Sequence, residues 1–229
     1  PISDERVESL TGGQAIRQLA FKKIGERNFN DAVFNTWGAS GLAAVWAEEN
    51  TRDSIFDAFR RKETYATSGS RIKLRFFGGY DLDATMLEKE DLIKEAYRKG
   101  VPMGQDLAPS EGKAPSFLIW AMRDKNAAPL QRVQIIKGWV EQTTGRPFEE
   151  VIDVACSDGL TPDPLTNRCP DNGALVDISD CSISSDRGTN EIKTVWTDES
   201  FDSAVKSFYY VRVLENPSCR WSTWDAVKN

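Results

Sequence analysis

The chain has 229 residues, a formal net charge of −6 and no histidine. The acidic balance argues against nucleic-acid binding, which needs a basic patch to neutralise phosphates. The missing histidine removes Ser-His-Asp and Cys-His catalysis and the commonest transition-metal ligand, so chemistry by this chain alone would fall to carboxylates.

No run approaches the ~18 apolar residues of a membrane span. The length suits one large domain or two small ones. Pro1 cannot be a natural initiator, so the chain is expected to be processed or trimmed, with any export signal already removed.

Residues 13–24, "GQAIRQLAFKKI", place Ile16, Leu19, Ala20 and Ile24 at helical spacing and predict a helix stopped by Gly25. Residues 26–45 read as irregular, anchored by Phe34, Trp37 and Leu42. Asn50 or Thr51 then caps a helix with Asp53 near its positive end. Ile55, Phe56 and Phe59 form its buried stripe, and the basic run at 60–62 closes it. After the "SGS" turn, Ile72, Leu74 and Phe76 alternate with Lys73 and Arg75, the pattern of a strand with one wet face. A helix is predicted over 83–98, capped by Asp83, burying Leu87, Ile93, Ala96 and Tyr97, and ended by Gly100.

From there strands take over. "SFLIWAMRD" (116–124) is apolar on both faces and reads as an interior strand. "LQRVQIIKGWV" (130–140) alternates and then slips at Ile135-Ile136, predicting a β-bulge there. Residues 147–155 and 207–216 are further strands, and short loops between them predict antiparallel pairing in a β-sandwich. The fold class is therefore α+β, with a mixed segment over 1–80 and a β-rich module over 81–229.

The four cysteines, Cys156, Cys169, Cys181 and Cys219, punctuate a turn-rich region and include no CxxC pair, which disfavours a zinc ribbon. Disulfides would restrict such loops in the unfolded chain and imply periplasmic or extracellular residence; the alternative is four reduced thiols in a cytosolic protein. Of the three pairings that four cysteines allow, proximity favours Cys156–Cys169 with Cys181–Cys219.

Several stretches could carry chemistry. Glu48 and Glu49 are neighbours, so on extended backbone they point apart and make a poor catalytic pair. Either can instead cap the helix or hold Arg52 or Arg71. The turn Ser68, Gly69, Ser70, Arg71 offers hydroxyls, backbone amides and a guanidinium to an anion, without Walker-loop spacing. Asp158, Asp163, Asp171 and Asn172 carry oxygen ligands of the kind calcium takes, but not at EF-hand spacing. The "WSTW" segment with Tyr209 and Tyr210 offers rings to a sugar, but Trp and Tyr in a strand bundle are more often core.

The stretches "GLAAVWAEENTRDSIFDAFRRKETYATSGSRIKLRFFGGYD", "KGVPMGQDL", "QIIKGW" and "FYYVRVLENPSCRWSTWDA" occur in one order from about residue 38 onward. Together they resemble domain-of-unknown-function family 3604. Longer members of that family resemble PHP-type metal-dependent hydrolases, whose histidine and aspartate ligands lie ahead of the region seen here. The resemblance implies the C-terminal portion of such an enzyme, namely the end of a PHP-like α/β barrel followed by the β-rich module. It also implies a divalent metal in the full-length parent and none held by this chain. Glu48, Glu49, Arg52 and Ser68–Arg71 would then orient a small anionic (phospho)ester substrate at the rim. The implied partner is the N-terminal remainder of the parent, and hydrolysis by this chain alone is not expected. The alternative is a non-enzymatic extracytoplasmic module whose β-rich half binds a ligand or partner.

Overall fold

The computed structural model describes residues 21–24, 27–30, 41–110 and 112–228. Two compact units divide the chain, residues 1–40 and 41–229. In the first, β1 (Phe21–Ile24) and β2 (Arg27–Asn30) pair antiparallel. The helix predicted over 13–24 is thus a strand where it is described. The remainder of that helix, and the anchors Phe34 and Trp37, lie outside the described residues.

The second unit opens with β3 (Leu42–Val45), α1 (Arg52–Arg60) and β4 (Thr64–Thr67), with β3 and β4 paired antiparallel. Thr51 caps α1 by accepting from the Ser54 amide. The expected stripe of α1 is corrected: Phe56 and Phe59 are 58% and 49% exposed, and Ala58 is the residue the helix buries. The Arg60 guanidinium instead lies over the Phe56 ring.

Then follow β5 (Lys73–Gly79), a 3₁₀ turn (Ala84–Glu88), α2 (Leu92–Lys99), β6 (Gly100–Pro102) and β7 (Ser116–Met122). The single helix predicted over 83–98 is broken. Asp83 caps only the 3₁₀ turn, and Lys89 is extended. Residues 88–91, Glu-Lys-Glu-Asp, offer no apolar side chain to bury, so nothing compensates for continuing the helix there. Ala96 is buried as expected, whereas Tyr97 is 43% exposed.

The chain ends with β8 (Leu130–Val140), β9 (Pro147–Cys156), β10 (Glu191–Thr197), β11 (Ser207–Glu215) and α3 (Trp221–Lys228). Strand order is β10-β7-β5-β6 in one sheet and β11-β8-β9 in the other, all antiparallel. Phe76, Phe117, Ile119, Ala121 and Ile192 of the first sheet share one core cluster with Val133 and Ile135 of the second. The two sheets therefore pack face to face as a sandwich. On the outer face of the first sheet, Phe77 and Leu118 bury Leu82, Met86, Leu92 and Ala96 of the helical segment.

The bulge lies elsewhere than predicted. The register slips between Val133 and Gln134 against β9, where Val154 is the extra residue. Ile135 and Ile136 are both fully buried in unbroken strand, Ile135 facing the first sheet and Ile136 lying between Tyr210 and Val151. Residue 80 follows directly on β5, whose partners β6 and β7 come later in the chain, so the sandwich straddles that point. Among the described residues there is no closed barrel, and no helix is long and apolar enough to cross a membrane.

Candidate functional site

The cysteines form Cys156–Cys169 and Cys181–Cys219, the pairing that proximity favours. They staple the long β9–β10 connection, which closes on side-chain polar groups. Buried Asn172 donates to Ser157, Asp158 and Asn216, and Asp158 also accepts from the Gly188 amide. Asp163 accepts from the amides of Leu165 and Thr166, and Asp171 from that of Gly173. These oxygens organise turns. Among the described residues, no three His, Cys, Asp or Glu side chains converge on a metal position.

The predicted rim residues divide between two places. Leu42 pairs with Thr67 and Val45 with Thr64, so Ser68–Arg71 and Glu48–Arg52 leave the β3–β4 ladder at opposite ends. Three residue steps separate those ends by about 10 Å. Glu48, Glu49 and Arg52 are exposed, and the Glu49 amide donates to Ser54 Oγ. At the other end, the Arg71 amide donates to Asp124, which leaves that amide unavailable to an outside anion. The amides of Asn126 and Arg71 hold the Asp124 carboxyl below its usual range. Burial, with the nearby Asp124 charge, pushes Glu215 up against the opposing Ser70 hydrogen bond, and Glu215 Oε1 is buried without a partner. The "SGSR" turn therefore sits against two carboxylates, an unfavourable setting for a second anion.

Three buried carboxylates escaped sequence reasoning. Glu63 receives Arg61, Arg75 and the Tyr97 hydroxyl, and Arg75 lies 3.4 Å above the Trp46 ring. Trp46 Nε1 in turn donates to Leu74 O. This knot ties the β3–α1–β4 segment to β5 and α2. Asp153 receives Arg132, Arg168, Gln134 and the Cys169 amide. Asp198 receives Lys137 at 2.6 Å, Tyr209 and Ser200. Burial pushes Asp153 and Asp198 up, but these donors outweigh it and hold both below the usual carboxylate range. The lone acid after the basic run at 60–62 was the one available signal for Glu63. Asp153 and Asp198 gave none, because their cations lie at least 15 residues away.

A cleft of about 960 Å³ lies between β4 to β6 on one side and β11 with residues 201–206 on the other. Phe76 stacked on Phe117, with Tyr209 tilted against Phe117 at 4.4 Å between centroids, lies along its lining. The 103–105 turn closes one wall. A Cβ at Gly104, whose φ is +82°, would stand 2.0 Å from Lys62 O, so only glycine lets the two backbones meet. Tyr65, Tyr80 and Gln105 add polar groups, and Lys62, Lys206 and Asp106 add charge; among the described lining residues there is no arginine. Phe208 and Tyr210, on either side of Tyr209 in β11, turn their rings to the opposite face of that sheet, Phe208 over Gly138.

Sheet order, core and disulfides define an antiparallel, disulfide-stapled β-sandwich with the 3₁₀ turn and α2 on one outer face. The chain belongs to the DUF3604 family, described as a protein of unknown function, whose profile matches residues 8–229. No curated protein and no solved structure matches it.

Proposed function

We propose that this chain is the non-catalytic C-terminal portion of an extracytoplasmic, PHP-like metal-dependent (phospho)ester hydrolase, and that its sandwich binds ligand in the aromatic cleft. One observation carries the reading. The buried carboxylates Glu63, Asp153 and Asp198 are each held by cations and hydrogen-bond donors, while the cleft of about 960 Å³ counts Tyr65, Phe76, Tyr80, Phe117 and Tyr209 among its lining. Such a site grips a ligand without supplying an acid–base pair.

The metal and its histidines belong, in this reading, to the N-terminal remainder of the parent protein. Residues 1–80 lead out of its barrel, and residues 81–229 complete the sandwich into which β5 is already built. In this reading Glu48, Glu49 and Arg52 are the orienting groups, while Ser68–Arg71, set against Asp124 and Glu215, contributes less to holding an anion. The disulfides favour a periplasmic or extracellular setting, where oxidised cysteines persist.

Calorimetric titration of the chain with phenyl phosphate and with neutral hexasaccharides tests the binding reading. Saturable heat from at least one probe is expected. A flat response to all of them removes it.

A further inference from the structure

An edge strand presents a row of unpaired main-chain amides and carbonyls, which most folds blunt by short length, proline, charge, a bulge or a covering segment. The two sandwich sheets have four such edges, β6, β10, β9 and β11. β6 has three residues and ends in Pro102. β10 carries Glu191 and Lys193. β9 begins at Pro147, carries Glu149 and Glu150, bulges at Val154 and gives the Asp153 amide to Asn167 O. β11 has none of these devices. Its nine residues contain no proline or lysine and stay in unbroken register with β8 as far as Leu214. Arg212 is its one charge before the terminal Glu215. Among the described residues, no main-chain hydrogen bond reaches 208–213 other than those to β8.

This open edge runs along the cleft. One face of a strand shows only alternate residues. Ser207, Phe208, Tyr209, Tyr210 and Val211 line the cleft in succession, although Phe208 and Tyr210 turn their rings away from the face that carries Tyr209. Only the edge between the two faces meets such a run. Five residues offer about 17 Å of unpaired backbone. From this geometry we infer that β11 docks an extended segment of a partner polypeptide as an added strand. The inference rests on the β11 main chain and goes beyond the small-ligand reading of the cleft. Donors and acceptors alternating at strand spacing match another extended backbone, and neither a sugar nor a phosphate repeats that alternation. β4 and residues 103–105 stand across the slot, which favours a single strand over a second sandwich whose sheet would have to continue through them. Side chains of the added strand alternate as those of β11 do. One set meets Phe76, Met103 and Phe117 in the cleft; the other flanks Phe208 and Tyr210, which are 59% and 40% exposed. Both sets are therefore apolar. Lys62 and Lys206 outnumber Asp106 in the described lining, so acidic residues suit the ends of the segment.

Fluorescence anisotropy tests the inference, with the whole chain titrated into labelled heptapeptides in which five Val, Ile, Leu, Phe or Tyr residues stand between two aspartates. At least one peptide should bind saturably. N-methylation of alternate peptide bonds removes the donors along one edge of the added strand. In one of its two registers it should weaken binding about tenfold or more. Phe208→Lys, which gives β11 the charge of a blunted edge, should weaken binding by a similar factor without moving the melting temperature. Leu175→Ala, on the exposed disulfide-stapled loop, should leave it unchanged. Binding that survives both N-methyl registers overturns strand addition without recourse to any protein variant. Binding unchanged by Phe208→Lys overturns its placement at β11, and silence from the whole panel overturns the inference outright. A dimer in sedimentation that Phe208→Lys dissociates gives the edge to a second copy and overturns the partner. Phenyl phosphate and the hexasaccharides separate this inference from the cleft reading. Their binding without any peptide overturns the added strand and leaves the cleft reading intact, whereas peptide binding without theirs upholds the added strand alone.

Discussion

On the face of the β11-β8-β9 sheet turned toward β5 and β7, Val133, Ile135, Val211 and Val213 bury hydrocarbon. On the opposite face Gln134 and Asp153 bury polarity, beneath residues 167–169 of the stapled connection. Apart from the Lys137–Asp198 pair with Tyr209, the first face is held by non-directional burial, worth ~25 cal/mol per Å² and tolerant of volume-conserving exchange. The second depends on matched donors, where losing one partner leaves a charge stranded in a medium that solvates it poorly. The same three strands thus carry a forgiving interface and an exacting one. The exacting side is where the connection of 34 residues between β9 and β10 must be tied down.

The largest expected effect comes from stranding a charge. Lys137→Met should cost about 3–5 kcal/mol, because Asp198, 1% exposed, would keep only neutral donors. The double variant Lys137→Met/Asp198→Asn should recover part of that loss in urea unfolding. An equal loss in both would show that the pair is not coupled. Next, Cys156→Ser/Cys169→Ser should cost about 3 kcal/mol, the loop-closure value for a short ring, and should loosen hydrogen exchange at the Cys169 amide that holds Asp153. An unchanged melting temperature would mean that the carboxylate alone fixes the connection.

Acid should act on the two kinds of carboxylate with opposite sign. Asp153 and Asp198 are held below the ordinary value of 3.8, so their contribution is present above that value. It is lost as pH falls through their lower folded values. Glu215 is held above its ordinary 4.5, so it favours folding while protonated and opposes it as pH rises through the folded value. Glu215→Gln should therefore raise the melting temperature at pH 8 and leave it nearly unchanged at pH 4. A loss of stability at pH 8 would show that the ionised carboxylate is needed there. The smallest effect is expected at Glu48→Gln and Glu49→Gln, both exposed, within about 0.5 kcal/mol by thermal melting.

Much of the sandwich was legible because strand alternation reports burial directly. β5, β7, β8, β9 and β11 were all visible in the spacing of apolar residues. β10 was not, since "EIKTVWT" is short, polar at both ends and only partly buried. The helical segment misled for a related reason. Periodicity at Phe56 and Phe59 forecasts an apolar face but not whether a neighbour covers it, and α1 covers only Ala58. The anion-binding turn was judged from its own atoms, yet Asp124 and Glu215, 53 and more residues away in sequence, decide its electrostatics. The cleft was the least legible feature. It is assembled from β4, β5, β6 and β11, and of its lining only Tyr209 and Tyr210 had been weighed as ligand contacts, with a core role preferred.

The most direct test of the claim that this chain binds but does not itself catalyse is its metal content, measured by elemental analysis after exposure to Mn²⁺ and Zn²⁺ and removal of free ions. The account predicts less than a tenth of an equivalent retained, roughly the level of adventitious binding to scattered surface carboxylates. One equivalent retained, and released by Asp158→Asn or Asp163→Asn, would contradict it and place a metal centre in the stapled loop.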